Sequence, residues 1–353
     1  MTVASPFAPS ACAPPPIRLG AMTLGVPVFL APMAGITDLP FRRAVARHGG
    51  AGLMVSEMLA STEMITPSPS SRAAGRARGL AEAGGPMSVQ IAGREAGPMA
   101  ETARIVEGMG ARAIDINMGC PARKVTGGLS GAALMRDLDH ALTLVEAVIG
   151  AVSVPVTLKM RLGWDETCLN AAALAARAAQ AGVRMLTVHG RTRAQFYTGS
   201  ADWARIRPVV EALPHPVPLV ANGDVTDAAS ARAALAASGA QAVMVGRAAQ
   251  GAPWRMAAIA HGLGLGPAPV VPQGAALADA VAAHYEDMLD FYGRDLGQRV
   301  ARKHLGWWAE ANRAPATARP ALMRAPSPAE ALRLIRAAFA DAEGEAAAQG
   351  RAA

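Results

Sequence analysis

The chain has few cysteines and no long apolar run. Cys12, Cys120 and Cys168 are its only cysteines in 353 residues, and they are too few and too widely spaced for a disulfide framework or a cysteine-based zinc site. No apolar stretch reaches the roughly 18 residues of a membrane-spanning helix. We therefore predict a cytoplasmic protein without a metal site or membrane segment, in which any cysteine with a chemical role acts alone.

Signals for secretion and for dinucleotide binding are also missing. Residues 1–16 are mostly Ala, Ser and Pro, with no basic start and no continuous apolar core, which predicts a disordered leader. The closely spaced Gly262, Gly264 and Gly266 follow a predicted helix rather than a strand. This context disfavours a doubly wound nucleotide-binding sheet.

Apolar residues and positive charge dominate the composition. Hydrophobic residues make up 52% of the chain, enough for one large domain and a smaller one. The formal net charge is +7. Such a charge is compatible with a polyanionic partner, but an alanine- and arginine-rich composition can also produce it. The net charge alone therefore does not identify the partner.

Short apolar runs recur along the first two thirds of the sequence, most of them followed by an alanine-rich stretch with helical periodicity. This rhythm is typical of repeated βα units, and eight such units close a barrel. The predicted strands are 28–33, 52–56, 87–91, 113–117, 156–160, 185–189, 218–222 and 242–246. The predicted fold is a TIM (β/α)8 barrel within residues 17–262.

Beyond Trp254 the strand rhythm stops and amphipathic helices follow. We predict helices at 275–292, 298–312 and 328–343. Residues 262–273 have the Gly and Pro content of a domain linker. The chain is therefore predicted to continue into an all-helical C-terminal domain over residues 274–343, followed by a frayed tail over 344–353.

The ends of the predicted strands are unusually polar. In a TIM barrel these ends meet at one face, where the catalytic residues lie. They carry Pro32, Met33, Ala34, Glu57, Gln90, Asn117, Cys120, Lys159, Arg161, His189, Arg191, Asn222, Gly223, Asp224, Gly246 and Arg247. Polar residues or glycines at every strand end together predict an active site at this face.

Four of the strand ends carry residues that bear on the chemistry. The turns at 222–224 and 246–247 follow the seventh and eighth strands, where TIM barrels bind phosphate, so we predict a phosphate-bearing cofactor. Lys159 alternates with Leu158 and should face the barrel interior, where a lysine pairs with an anion or reacts covalently. Cys120 follows the fourth strand on a turn closed by Pro121.

Several segments of the barrel form a specific set of motifs. They are APMAGITD at 31–38, VQIAG at 89–93, DINMGCP at 115–121, LKMR at 158–161, HGRTR at 189–193, ANGD at 221–224 and VGR at 245–247. With these motifs the chain resembles the tRNA-dihydrouridine synthases, most closely their bacterial B-type branch. The helical region, through Arg302, Lys303 and His304 with Trp307 and Trp308, is similar to that family's C-terminal domain.

The resemblance implies FMN as cofactor, NADPH or NADH as reductant and tRNA as substrate, with no obligatory protein partner. The implied FMN contacts are Pro32, Met33 and Ala34 along the flavin ring, Gln90, Lys159 and His189 at its polar groups, and Asn222, Gly223, Asp224, Gly246 and Arg247 around ribityl and phosphate. The implied tRNA contacts are Asn117, Arg161, Arg191, Arg193, Arg302 and Lys303, with Arg123 and Lys124 as further basic candidates. A cation such as Lys159 beside the ring would stabilise the anionic reduced flavin.

The activity that the resemblance implies is reduction of specific D-loop uridines to 5,6-dihydrouridine. Reduction of uracil needs a hydride at one carbon and a proton at the next, and the flavin supplies only the hydride. By the resemblance Cys120 supplies the proton, because a thiol with an ordinary pKa of about 8.5 is mostly protonated at neutral pH. The uridine must leave its stack to reach the barrel.

Other functions fit part of the pattern. An FMN-dependent oxidoreductase of the dihydroorotate dehydrogenase or old yellow enzyme type would share the barrel, although the helical domain and the net charge disfavour it. A Schiff-base aldolase would use Lys159 without a flavin, and a non-catalytic tRNA-binding relative would not need Cys120. Gln195 departs from the B-type pattern, in which cysteine is frequent at this position.

Overall fold

The computed structural model describes residues 16–66, 77, 79–80 and 86–340. Residues 1–15 of the predicted leader and the whole predicted tail, 344–353, lie outside the described residues. So do the last three residues of the helix predicted at 328–343.

A closed barrel of parallel strands forms the centre of the protein. The barrel strands are β3 (Val28–Leu30), β4 (Leu53–Val55), β6 (Met87–Ala92), β7 (Ile114–Met118), β8 (Val156–Arg161), β9 (Met185–His189), β10 (Leu219–Asn222) and β11 (Ala242–Val245). They pair in the order β4-β3-β11-β10-β9-β8-β7-β6, and pairing of β4 with β6 closes the ring. The two-residue β5 (Leu59–Ala60) extends the sheet beside β6. The predicted TIM barrel is confirmed.

Helices surround the barrel and return the chain from each strand to the next. They are α1 (Leu39–His48), α2 (Ser61–Ile65), α3 (Ala96–Gly108), α4 (Arg123–Thr126), α5 (Leu138–Ile149), α6 (Ala171–Ala181), α7 (Arg207–Glu211), α8 (Ala228–Ser238) and α9 (Arg255–Gly262). Aspartates at 38, 137 and 227 cap three of these helices by accepting a backbone N–H of the first turn. Within the described ranges, no helix is long and apolar enough to cross a membrane.

The barrel interior changes from apolar to polar along its axis. At the amino ends of the strands, side chains such as Phe29, Leu53 and Met185 are buried against an N-terminal hairpin, β1 (Ile17–Leu19) and β2 (Met22–Leu24). At the carboxyl ends the inward positions are polar. Because alternate residues of a strand face the same side, the polar layer can lie directly above the apolar one without breaking any strand.

The structure differs from the prediction at short elements. The hairpin β1–β2 was not predicted, because each of its strands has only three residues and shows no longer alternation. The first barrel strand ends at Leu30 rather than at residue 33. The chain turns at Met33, whose carbonyl accepts hydrogen bonds from the N–H groups of Ile36 and Thr37. Residues 31–38 therefore form a loop over the barrel end.

Four C-terminal helices in the described part of the chain form a separate apolar cluster. They are α10 (Gly274–Tyr292), α11 (Arg294–Ala311), α12 (Ala318–Arg324) and α13 (Pro328–Phe339). Their core includes Val281, Leu305, Trp308 and Ile335. The predicted helical domain is confirmed, but α12 was not predicted and α11 begins four residues earlier than expected, at Arg294 rather than 298.

The helical domain packs on the barrel beside its carboxyl face. The ring of Phe41 in α1 lies 5.9 Å from the rings of both His284 and His304. Tyr292 donates its hydroxyl to the Asp38 carboxylate at 2.8 Å. These contacts place α10 and α11 against the loop that follows β3, so the helical domain borders the mouth of the barrel.

Candidate active site

Buried polar side chains of β6, β7 and β8 form one hydrogen-bonded network. Thr157 donates to Asp115 at 2.6 Å, and the other carboxylate oxygen of Asp115 accepts from the Gln90 amide at 2.7 Å. The Asn117 amide donates to Gln90 at 2.7 Å. Because each donor has one acceptor in this chain, the orientations of both amides are fixed.

The network positions the loop that carries Cys120. The Asn117 side-chain oxygen accepts from the N–H groups of Gly119 and Cys120, at 3.1 and 3.0 Å. The Cys120 carbonyl accepts from the N–H of Ala132 at 3.1 Å. The thiol is free and only partly buried. Hydrogen bonds to both its N–H and its carbonyl therefore hold the Cys120 backbone, while the side chain stays partly exposed.

Arg161 connects the Cys120 loop to the loop after β9. Its Nε donates to the Gly119 carbonyl at 2.9 Å, and its Nη1 donates to the carbonyls of Thr192 and Phe196 at 2.8 and 2.9 Å. Burial lowers the pKa of the guanidinium to about 10, so it remains charged at neutral pH. Within the described residues, no protein acceptor binds Nη2, which leaves this donor for the substrate contact predicted for Arg161.

Lys159 is a buried cation that pairs with a neutral group. Its ammonium donates to the Asn222 side-chain oxygen at 2.9 Å, and the Asn222 amide in turn donates to the Met244 carbonyl at 2.8 Å. Burial, followed by the charge of Arg161, lowers the pKa of Lys159 to about 8. In the part of the chain that the structure describes, Lys159 forms no salt bridge. Two of its three N–H donors are available to an acceptor-rich ligand.

Asp224 and Arg191 form a bidentate ion pair at the end of β10. The guanidinium donates to the two carboxylate oxygens at 2.6 and 3.0 Å, and also to the carbonyls of Thr198 and Gly199. Arg191 is fully buried, although it was predicted to contact tRNA. Partial burial acts to raise the pKa of Asp224, but the bonds from Arg191 and the Ala201 N–H lower it below its ordinary value.

His189 lies beside this pair as a neutral imidazole. Burial, together with the nearby cations Lys159, Arg161 and Arg191, lowers its pKa well below the ordinary value. Nε2 lies 3.3 Å from Arg191 Nη1, and a guanidinium only donates, so we assign the ring proton to Nδ1. A Cβ at Gly223, which has a φ of 112°, would lie 2.7 Å from the His189 ring. Only glycine fits there.

The loops that follow the first and last barrel strands meet at Met33 and Gly246. A Cβ added to Gly246 would make ordinary van der Waals contacts with the Met33 sulfur at 3.6 Å and the Ala31 Cβ at 3.8 Å. Pro32 is partly buried and Ala34 is exposed. The exposed Arg247 donates to Asp224 at 3.3 Å and extends over the ring of Tyr197 at 5.5 Å. The residues predicted for the flavin and its phosphate are therefore neighbours.

Sequence reasoning did not identify Asp115, Trp164, Phe196 or Tyr197 as parts of this site. Trp164 stacks with Arg193 at 4.5 Å and with Arg136 at 5.1 Å. Arg193 also donates to Thr126 in α4 at 3.3 Å. The stack therefore connects the segment after Cys120 to the loops that follow β8 and β9. The available signal was the interleaving of aromatic and basic residues after β8 and β9, which is common in RNA-binding sites.

The helical domain adds a lysine to the rim of the site. Lys303 in α11 is partly buried, and its ammonium lies 3.1 Å from where a Cβ of Gly35 would be. Gly35 has a φ of 76°. Its N–H donates to Glu57, which follows β4. Arg302 is exposed on the same helix. Of these two predicted tRNA contacts, Lys303 thus lies beside the mouth, at the junction of the two domains.

A parallel barrel with a thiol, a buried lysine and fixed amides at its carboxyl face defines a TIM-barrel enzyme. The chain belongs to the dihydrouridine synthase (Dus) family, because a sequence model of that family matches residues 29–343.

Curated relatives agree with this assignment. A probable tRNA-dihydrouridine synthase of Rhodobacter capsulatus is 64% identical over 93% of this chain and 99% of the relative. A probable tRNA-dihydrouridine synthase of Rhizobium leguminosarum bv. phaseoli is 52% identical over 80% of this chain and 85% of the relative. The tRNA-dihydrouridine synthase B of Xanthomonas axonopodis pv. citri is 44% identical over 92% and 96%, respectively. The resemblance seen in the motifs is confirmed.

Proposed function

We propose that this protein is a tRNA-dihydrouridine synthase that reduces D-loop uridines with FMN, using NADPH or NADH and with Cys120 as proton donor. The observation that carries the proposal is the accessible Cys120 thiol, whose loop is fixed by Asn117 and Arg161 beside the buried Lys159. The names of relatives that match nearly the whole chain support the same activity.

The donor set at the mouth fits FMN. Lys159, with donors left after its bond to Asn222, would take the acceptor-rich edge of the ring, and Gln90 and His189 would lie at its other polar groups. The turn at Gly246, with Gly223, Asp224 and the exposed Arg247, would receive the ribityl chain and phosphate. When bound, FMN supplies the hydride. An anionic ligand would also compensate the buried charge of Lys159.

The chain supplies the proton and the orientation of the substrate. Cys120 would donate from a loop that cannot shift without breaking its bonds to Asn117 and Ala132. The free donor of Arg161 and the second N–H of the Asn117 amide would bind a uracil through its carbonyl oxygens, which are acceptors. The positive charges of Lys159, Arg161 and Arg193, with that of Lys303 at the rim of the mouth, would attract a polyanion such as tRNA.

We propose the barrel, residues 17–262, as the catalytic domain and residues 274–343 as the tRNA-binding domain of a cytoplasmic enzyme. The test uses tRNA from a strain that lacks dihydrouridine. The purified protein should be yellow, should release FMN on denaturation, and should form dihydrouridine in this tRNA when NADPH is added. Released FAD, or reduction of small enones or orotate without any dihydrouridine in tRNA, would contradict the proposal and favour the alternative oxidoreductase.

Neutralising Arg302 and Lys303 together should weaken tRNA binding. In Arg302→Ala/Lys303→Ala we expect a higher Kd for tRNA. The slope of log Kd against log salt concentration should decrease by the equivalent of about two phosphate contacts. Oxidation of NADPH in the absence of tRNA should not change. The matched control is Arg333→Ala/Arg336→Ala in α13, which removes the same charge from exposed positions of the helical domain. Equal losses of both activities would instead indicate a structural role at the domain junction.

A further inference from the structure

Phe196 combines a strained backbone with an exposed aromatic ring. Its φ is 54°, in the left-handed region that a bulky residue rarely adopts. The side chain is 42% exposed, although burial of an aromatic ring is normally favourable. Strain of this kind persists only where neighbouring contacts enforce it, and it concentrates at functional sites.

The contacts that enforce this conformation come from the active site. Arg161 donates to the Phe196 carbonyl, and the Phe196 N–H donates to the Arg193 carbonyl at 3.0 Å. The ring meets that of Tyr197 edge to face, with centroids 4.7 Å apart. Gln195 accepts from the Thr192 N–H at 2.7 Å and so closes the same turn. The ring is therefore presented to solvent in a fixed orientation.

The same arginine places Phe196 close to the reacting centre. Arg161 binds the carbonyl of Gly119, the residue before Cys120, as well as the carbonyl of Phe196. Arg161 and Arg247 also lie over the neighbouring Tyr197 ring, at 5.7 and 5.5 Å. An exposed aromatic ring among cations is suited to RNA, because bases stack on such rings while phosphates pair with the cations.

We propose that Phe196 stacks on a tRNA base that borders the target uridine. The proposal rests on the proposed function. A uridine that enters the barrel leaves its neighbours without a stacking partner, and this loss is part of the cost of extrusion. A ring held at the rim replaces the lost partner and stabilises the extruded form. Phe196 would thus be a positioning residue for the substrate rather than a donor in the reaction.

The first test is Phe196→Gly. Glycine adopts a φ of 54° without strain, so the turn and the bond from Arg161 should be kept while the ring is lost. We expect kcat/KM for tRNA to fall on the order of 10-fold, the typical effect of losing one base stack. FMN content and NADPH oxidation without tRNA should be unchanged. Phe196→Trp should retain the wild-type kcat/KM, and Phe196→Leu should not.

Met109→Ala serves as the control, because Met109 is also exposed but lies where α3 returns to the amino face of the barrel. We expect it to keep the wild-type kcat/KM. A wild-type kcat/KM in Phe196→Gly, or full activity in Phe196→Leu, would overturn the stacking role. A wild-type protein that forms no dihydrouridine would overturn the proposed function itself, and that result does not depend on any variant.

The second test identifies the base. Abasic residues are placed one at a time on each side of the modified uridine, and kcat/KM is measured with wild type and Phe196→Gly. If Phe196 stacks on one neighbour, loss of that base should impair the wild type on the order of 10-fold and the variant much less. The other abasic site should impair both proteins equally. Additive losses at both positions would show that the ring does not contact a neighbouring base.

Discussion

In Cys120→Ala, we expect NADPH to bleach the flavin at the wild-type rate while transfer to the uridine slows by about 10² to 10⁴-fold, the usual contribution of a positioned general acid. Flavin reduction needs no proton from this loop. Reduction of the uracil does need one, and the partly buried Cys120 thiol follows β7 on a backbone held by Asn117 and Ala132. Alanine fits the same turn, so the flavin site should stay intact.

The measurement is a pair of stopped-flow experiments on this variant, anaerobic bleaching by NADPH followed by reoxidation with tRNA. Cys168→Ala is the matched control, because Cys168 is the other free, partly buried thiol of the described chain and its sulfur forms hydrogen bonds with Asn170 and the Met135 carbonyl. It should leave both rates unchanged. Slow bleaching with normal reoxidation in Cys120→Ala would reverse the assignment, and two normal rates would make Cys120 an ordinary packed cysteine.

The barrel and the composition of its mouth were predictable from the sequence because both depend on period-two alternation. That alternation placed Lys159 inside the barrel, and the structure confirms this. It also indicated which strand ends carry polar groups. The motifs then identified the family, which the match over residues 29–343 confirms. The roles of individual residues in binding flavin or tRNA stay predictions.

The partners of these polar groups were not predictable, because they depend on contacts between distant segments. The Asn117 amide donates a hydrogen bond to Gln90 on the neighbouring strand, and the sequence around neither residue indicates this contact. Arg191 follows His189 in a basic motif that resembles an RNA contact, yet Asp224, 33 residues later, holds its guanidinium inside the protein. A charged residue in a motif can bind the substrate or support the site, and only the fold distinguishes the two.

The Asp224–Arg191 pair leads to the largest expected loss of stability. In Asp224→Ala, the buried guanidinium of Arg191 would keep its two carbonyl acceptors but lose its only counter-ion in the described chain. We expect the free energy of unfolding of the apoprotein to fall by about 3 kcal/mol, the low end of the range for a broken buried pair, because Asp224 is partly exposed. Urea unfolding followed by circular dichroism measures this difference.

The control for burial is Glu166→Ala, which breaks the Glu166–Arg205 pair. That pair has nearly the same N–O distance, 2.7 Å against 2.6 Å, but its arginine side chain is 32% exposed whereas that of Arg191 is 2% exposed. An exposed pair contributes about 0 to 1 kcal/mol, so this variant should unfold almost like the wild type. Similar losses in the two variants would show that burial of Arg191 does not determine the effect.

The pH dependence of the Asp224→Ala difference gives a further check. The folded protein holds the pKa of Asp224 below its ordinary value. The native state therefore binds fewer protons than the unfolded state as pH falls through that range, and the stability from this carboxylate is present above the unfolded pKa of about 4 and lost below it. The wild-type and Asp224→Ala stabilities should stay apart from pH 8 to about pH 5 and converge below about pH 4. A difference in unfolding free energy that stays constant down to pH 3 would show that the lost stability comes from side-chain packing and backbone conformation at residue 224. It would then not come from the negative charge that pairs with Arg191.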